Sequence, residues 1–577
     1  MADKATLRAG LHLENSAEDH EIIAECLQIC SDYNIPPEDL QYRWEAFAIQ
    51  NPKPTAIGNF APSMRLIDLD GAKAFRAAIA RDVARVNQGT GARGARGGAR
   101  GRGYAATAGA RMKAGINVVP TRPAATAATS SANGLARSAP STKLSVKYIG
   151  PDSEAISKRN YRYMFEKVSR RSHVLDERID EFGEIIREKY GVEELGDPSS
   201  ATEDLVTVVG RLCLDHETDS NSPSSKPTAT NLVLEASRFG GSGERIPLKF
   251  EPDFKIHGAS DSTSGKSLFT GEILALRGKN GGGGWFLVQE VLPVPLTSPS
   301  SKAPTQAFSV SIASGPYTSE LNLDYTPFQS IIDEAKNTKP SVLILLGPFI
   351  DSGHPMVKSA KIPLPPSALF QQYFVKPIQS LLQQNSDTLV LIVPHVRDIL
   401  CSNAVFPQGT GSGDFGTLPS AVRVIPNPSI FSLNGISFGV STVDVLYHLK
   451  NQQYIQRPQH PTGAPTASLP PDAMANLCRH VLEQRSFYPL FPVPVELSAD
   501  VNLDVSHSEF LHLSEPAPDV LILPSILRQF TKSVEGTLII NTSSFGKSRI
   551  LGRIDIPTSP SDRAVCDYAK VDLKKLA

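Results

Sequence analysis

Four short apolar runs, each cut off by a glycine or proline, constrain this chain more than any other feature. The central one is Ser341-Val342-Leu343-Ile344-Leu345-Leu346-Gly347-Pro348-Phe349-Ile350-Asp351. It is too short to cross a membrane as a helix and it stops at Gly-Pro, so it reads as a strand buried on both faces that ends in a loop. Phe308 to Pro316, Leu389 to Asp398 and Asp519 to Leu527 repeat the pattern. Strands of this kind belong to α/β domains, which place their chemistry in the loops at strand ends.

In order, the loops read Ser314-Gly315-Pro316, Gly347-Pro348-Phe349-Ile350-Asp351, Pro394-His395-Val396-Arg397-Asp398 and Pro524-Ser525-Ile526-Leu527. The arrangement resembles calcineurin-like metallophosphoesterases, whose loops carry D-x-H, G-D-x-x-D, G-N-H-D and G-H-x-H to hold two divalent ions. Matched residue by residue, the resemblance puts Ser314 and Pro316 where the first aspartate and histidine belong. Pro348 takes the first aspartate of the second loop, and only Asp351 survives there. Val396 stands for the asparagine and Arg397 for the histidine, with Asp398 kept, and Ser525 and Leu527 replace both imidazoles of the fourth loop. Aliphatic side chains cannot ligate a metal and an arginine opposes one electrostatically. The expectation is therefore an α/β phosphoesterase-like domain with lost ligands, no catalytic site, no metal and no cofactor.

Longer stretches make the resemblance narrower. SGPYTS from Ser314, LLGPFIDSGHP from Leu345, VPHVRD from Val393, FGVSTVDVLYHL from Phe438, QRSFYPLFP from Gln484 and PDVLILPSILRQF from Pro518 are similar to the accessory B subunits of replicative DNA polymerases, in the form found with polymerase alpha–primase. The resemblance implies a non-enzymatic scaffold in the nucleus that supports RNA–DNA primer synthesis. Its implied partners are the C-terminal domain of the polymerase's catalytic subunit and, through the complex, primase. Two other readings remain open here: the B subunit of another replicative polymerase, or a metal-dependent phosphoesterase or nuclease working with Asp351, Asp398, His354 and His395.

The remaining sequence fits a multidomain chain. Its 577 residues allow several cores, and a net charge of −1 argues against a protein that coats nucleic acid. Six cysteines without paired spacing read as reduced thiols, and no apolar run reaches membrane-spanning length, so no membrane partner is expected. Residues 1–88 read as an all-α docking domain, with Ser16 opening a helix that carries Ile22, Ile23, Cys26, Leu27 and Cys30, followed by Leu40, Trp44 and Phe47. Residues 89–147 read as a disordered Gly/Ala/Arg-rich linker. The arginines between Gly91 and Tyr104 would serve either weak or indirect DNA contact or mere solubility. Residues 148–200 read as a helical connector from Tyr161 to a stop at Gly191, with Leu175, Ile179, Phe182 and Ile186 on one stripe.

Residues 201–295 offer short β segments at Leu205–Leu212, Asn231–Leu234, Ile273–Leu276 and Trp285–Val288, which fit an OB-fold barrel. Alternation sends one of Trp285 and Phe286 inward, leaving too few rings for single-strand binding, so protein docking is the better fit. Gly281 to Gly284 precede a strand and read as a hairpin loop, not a phosphate cradle. Residues 306–577 form the phosphoesterase-like domain.

Overall fold

The computed structural model describes residues 17–33, 40, 44, 69, 72–77 and 79. It also describes 146–576, apart from 216–225, 242, 259–264, 301–302, 412, 459–471 and 559–562. The chain separates into two units, residues 1–133 and 134–577. In the first, helix α1 (Ala17–Tyr33) turns Ile22, Cys26 and Ile29 into a small core with Leu40, Trp44, Ala72 and Phe75. Ser16, Phe47, the arginine tract and positions 89–145 lie outside the described residues.

The second unit opens with a segment that the sequence pattern divides between linker and connector. Val146 is buried in the main apolar core, and Lys147 N–H donates to Asn434 Oδ1 at 2.8 Å. Strand β1 (Tyr148–Ile149) then pairs antiparallel with β12 (Ser429–Leu433). Arg159 Nη1 donates to the Pro428 carbonyl at 2.6 Å, and the Tyr161 ring stacks on His507 at 3.6 Å. The helix predicted from Tyr161 begins only at Val168: α2 (Val168–Tyr190) ends at Gly191, whose φ of 63° is the left-handed stop. Tyr161 is spent on a tertiary contact instead of a helical turn.

α2 lays Ile179, Phe182 and Ile186 on Val209, Ile273, Ala275 and Leu292 of a closed five-stranded barrel. The barrel strands are β2 (Thr202–Leu214), β3 (Leu232–Glu235), β4 (Arg245–Ile256), β6 (Ile273–Asn280) and β7 (Phe286–Leu292). Phe286 is fully buried within it, whereas Trp285 stays outside with Lys249 Nζ 3.4 Å from its ring centroid. The glycines from Gly281 to Gly284 form the turn between antiparallel β6 and β7. The sequence pattern does not reveal β4, nor β5 (Lys266–Leu268), which leaves the barrel to pair with β14 (Tyr454–Gln456).

Residues 306–576 together with β1 build four layers, helices outside two six-stranded sheets. One sheet contains β8 (Phe308–Ser314), β9 (Val342–Leu346) and β10 (Leu389–Val393), parallel and flanked by β11 (Val422–Val424), β18 (Ile550–Ile556) and β19 (Lys570–Lys575). The other contains β1, β12, β13 (Ile436–Val440), β15 (Val520–Ile522), β17 (Thr537–Asn541) and β16 (Phe530–Val534). Alternate residues explain why these strands read as unbroken apolar runs. Ile344, Leu346, Leu391 and Val393 face the second sheet's Phe438, Val440, Val520 and Ile522. Leu343, Leu345, Val390 and Ile392 face α3 (Thr326–Thr338) and α4 (Lys376–Gln384). On the far side α5 (Val445–Gln452) and α6 (Ala473–Glu483) cover Leu521, Leu523 and Ile539. Among the described residues no helix is long and apolar enough to cross a membrane.

Barrel and sandwich interlock. The Gln484 amide exchanges two hydrogen bonds with the Ile273 backbone, at 2.9 and 3.0 Å. Gly271, at φ 93°, lies so close to the chain at Pro489 and Phe491 that a Cβ there would stand 2.3 Å from Phe491 N. Arg178 of α2 donates to the carbonyls of Gln484 and Arg485.

Candidate functional site: the strand-end cleft

The register of the parallel strands brings the predicted loops together. Ser314, Leu346 and Val393 end neighbouring strands at one level, so the loops after them share a rim. Two glycines permit the close approach: a Cβ on Gly315 would lie 2.1 Å from the Pro348 carbonyl, and one on Gly347 would lie 2.5 Å from Asp398 Oδ2. The loop after β15 comes from the facing sheet and completes a cleft of about 990 Å³. Ser314, Pro316, Pro348, Asp351, Arg397 and Ser525 line it. Val396 and Leu527 instead pack into the apolar core beneath α5 and α6, and Asp398 lies buried under the rim.

Each polar residue that the resemblance puts at a ligand position hydrogen-bonds within the protein. Ser314 Oγ hydrogen-bonds the Ser543 carbonyl and Thr542 Oγ1, turning back toward the sheet. Asp351 Oδ2 accepts from Arg397 Nη2 at 3.0 Å, and Arg397 Nη1 donates to Asp500 Oδ1 at 3.0 Å. Asp398 accepts from the backbone N–H groups of Phe349, Ile350 and His395. Burial pushes its pKa up to about 7 against the pull of those donors, which favour the ionised form. Ser525 N–H donates to Asn541 Oδ1 at 2.9 Å, and Asn541 also holds Ser543 N–H.

The histidines are engaged too. His354 donates from Nε2 to the Ser319 carbonyl at 2.8 Å and accepts at Nδ1 from Met356 N–H at 3.2 Å, which leaves it no nitrogen for a metal. His395 accepts at Nδ1 from Arg397 N–H at 2.9 Å. Burial, aided by the Arg397 charge, lowers its pKa to about 3, so the ring is neutral with its proton on Nε2. His448 is likewise lowered to about 4 by burial, with Nδ1 3.0 Å from the Tyr488 hydroxyl.

Sequence reasoning missed Asp444, Asp500 and Asn541. Asp444 had a local signal, since it precedes a helical pattern and caps α5 through Tyr447 N–H at 2.9 Å. Asp500 and Asn541 act on loops remote in sequence and carried none. Among the described residues, the grouping of acidic and imidazole side chains close enough to share one ion is Glu272, His480 and Glu483, at the barrel junction. Lys266 Nζ lies 2.9 Å from Glu272 Oε1 there, so an ammonium already neutralises the pair.

A barrel locked onto a four-layer sandwich, with an arginine between two carboxylates of the strand-end cleft, defines a class of multidomain protein in which the two domains are built as one body. Two family profiles match: the OB domain of the DNA polymerase alpha B subunit over residues 172–294, and the B subunit of DNA polymerases alpha and epsilon over 310–532. The DNA polymerase alpha B subunit of Schizosaccharomyces pombe is 33% identical over 407 residues, covering 68% of this chain and 67% of that protein. The Saccharomyces cerevisiae protein of the same name is 30% identical over 441 residues, 67% of this chain and 58% of that one. The Rattus norvegicus protein is 27% identical over 420 residues, 71% of this chain and 64% of that one. The chain belongs to the family of DNA polymerase alpha B subunits.

Proposed function

We propose that the chain acts as a rigid, non-catalytic docking platform. Membership of the family makes it an accessory subunit of the polymerase alpha complex in DNA replication. The finer reading takes the sandwich as a calcineurin-like phosphoesterase domain whose metal positions have been given over to structure. The proposed domain plan keeps a helical N-terminal domain, linker, connector, OB-fold and phosphoesterase-like domain, with the platform extended back to Val146 because β1 pairs with β12. Its partner is the C-terminal domain of the polymerase's catalytic subunit, held by barrel and sandwich together, with primase reached through the complex and the nucleus as the site of action.

The observation that carries this reading is Arg397 clamped between Asp351 and Asp500. A guanidinium cannot lose its charge near neutral pH, so it occupies the place of a metal without being able to activate water. The Gln484 and Gly271 contacts fix the barrel against the sandwich, and a partner touching both meets surfaces already oriented. The test is an assay of the purified chain with manganese, magnesium or zinc on single-stranded DNA and a generic phosphodiester, beside a pull-down of the catalytic subunit's C-terminal domain. Stoichiometric capture without turnover is expected. Turnover abolished by Asp351→Ala would overturn the reading.

A further inference from the structure

The joint between barrel and sandwich encloses charge. Lys266 of β5 and Glu272, just before β6, come from the barrel, and His480 and Glu483 from α6 of the sandwich. Lys266 Nζ lies 2.9 Å from Glu272 Oε1 and 3.5 Å from Glu483 Oε2. Neighbouring charges are engaged elsewhere: Arg479 pairs with Glu535, and Arg211 of β2 with Glu235. On α5, His448 meets the Tyr488 hydroxyl and Lys450 is exposed, and β14 brings only Tyr454, which bonds Gln456. One ammonium against two carboxylates leaves the group one positive charge short, and a buried net charge is strongly disfavoured.

The hydrogen bonds place the missing charge. Ser267 Oγ donates to Gln453 Oε1 at 3.3 Å, so toward His480 Nε2, 3.0 Å away, it is an acceptor and the ring proton sits on Nε2. His480 Nδ1 is buried without a hydrogen-bond partner, and Glu483 Oε2 is 3.9 Å off, too far for one. A second proton on Nδ1 would be an unanswered N–H on a buried cation, so the ring is neutral. That leaves a carboxyl group to carry the proton. Glu272, with a side chain 1% exposed against 11% for Glu483, loses more by ionising. Burial raises Glu272 from the ordinary 4.5 to about 7 and, with Lys266 beside it, lowers His480 from 6.5 to about 3.

With the joint open to water the order reverses, so that Glu272 ionises first and His480 takes up the proton. We infer that docking of the barrel on the sandwich moves one proton from His480 to Glu272, so that closing the joint exchanges almost no protons with water around pH 6. An O–H bond forms at Glu272, an N–H bond breaks at His480, and Lys266 with Glu483 leaves the enclosed group neutral. Alone, Glu272 would weaken the joint as pH rises from about 4.5 to 7, and His480 would weaken it as pH falls below 6.5. Together they offset each other. The device belongs to the joint itself and is independent of any partner.

The test is hydrogen exchange by mass spectrometry on the full chain, read at Ile273 N–H and Phe491 N–H, which bond Gln484 Oε1 and the Thr270 carbonyl across the joint. Parent, Glu272→Gln and His480→Asn are each measured near pH 5.5 and near pH 7 and corrected for intrinsic exchange. The quantity compared is the ratio of protection at the two pH values. A general loss of stability cancels in that ratio, and titration elsewhere cancels when variant is set against parent. Glu272→Gln should shift the ratio roughly tenfold toward weaker protection in acid, because His480 then titrates alone. His480→Asn should shift it roughly tenfold the other way, because Glu272 then titrates alone. An infrared difference between parent and Glu272→Gln near pH 6 should contain the carbonyl band of a protonated carboxyl group, a reading that needs no variant of His480. Ratios that stay at the parent value, a shift in only one variant, or two shifts in one direction overturn the inference, as does an infrared difference without that band.

Discussion

Arg397 Nη2 stands 3.0 Å from Asp351 Oδ2 and ties the loop after β10 to the loop after β9. The pair is half-open to water, with the arginine side chain 31% exposed and the aspartate 11%. Solvent screening therefore limits its worth. Arg397→Ala should lower stability by only about 1 kcal/mol, mostly through the counterion lost by the more buried Asp351. Urea unfolding of variant and parent measures this. A loss several times larger would mean that the guanidinium organises the whole rim.

Acid should destabilise the protein from just below pH 6.5. Burial lowers His395 and His480 to about 3 and His448 and His512 to about 4, so these rings are neutral when folded and take up protons only on unfolding. The stability they contribute is complete above the unfolded pKa near 6.5 and falls as pH drops toward their folded values. Asp398 and Glu272, both raised to about 7 by burial, act with the opposite sign between about pH 4 and 7. The histidines outnumber them, and the net slope of stability against pH should be positive near pH 5.5. His448→Asn should reduce that slope by up to about 1.4 kcal/mol per pH unit, the worth of one proton. A slope that the substitution leaves unchanged would contradict a buried neutral ring.

Gly271→Ala should loosen the joint between barrel and sandwich. The residue sits at φ 93°, and its added carbon would meet Phe491 N at 2.3 Å and the Pro489 carbonyl at 2.7 Å, backbone atoms that cannot turn aside. A cost of about 3 kcal/mol is expected from strain and displaced backbone together. Differential scanning calorimetry should show the barrel separating from the sandwich as its own transition. A single unshifted transition would mean that the joint yields freely.

The core strands were legible because both of their faces are buried, which leaves an apolar run with no alternation to misread. The loops that follow them were legible because a proline, preceded by glycine in two of the four, ends each run. β4 shows the limit: Ile246, Leu248 and Phe250 alternate with Arg245, Pro247 and Lys249, but a proline inside the run is a signal against a strand. Proline is tolerated there because its missing N–H costs one ladder bond at most. β1 was hidden in the stretch read as a helical connector because two residues paired with a strand far along the sequence leave no local period. In the cleft, the sequence placed Asp351 and Arg397 at ligand positions without revealing that they bond each other. Asp500, which completes that triad, lies 103 positions from Arg397.

The N-terminal boundary of the platform can be tested directly. Starting at Val146 keeps β1, the Arg159 hydrogen bond to Pro428 and the Tyr161 stack on His507, whereas starting at Val168 removes all three. Burial of Val146 and the aromatic stack together suggest a difference of roughly 3 kcal/mol. The 168–577 piece should therefore melt measurably below the 146–577 piece. Equal midpoints would show that the segment merely rests on the surface.

The most direct test of the platform account is a calorimetric titration of the polymerase catalytic subunit's C-terminal domain into three proteins: the full chain, residues 146–577, and the full chain carrying Gly271→Ala. Equal affinity for the first two and at least tenfold weaker binding by the third is predicted, because the partner grips barrel and sandwich in one fixed arrangement. Full affinity in the Gly271→Ala chain, once calorimetry has shown its joint to be loosened, would contradict the account.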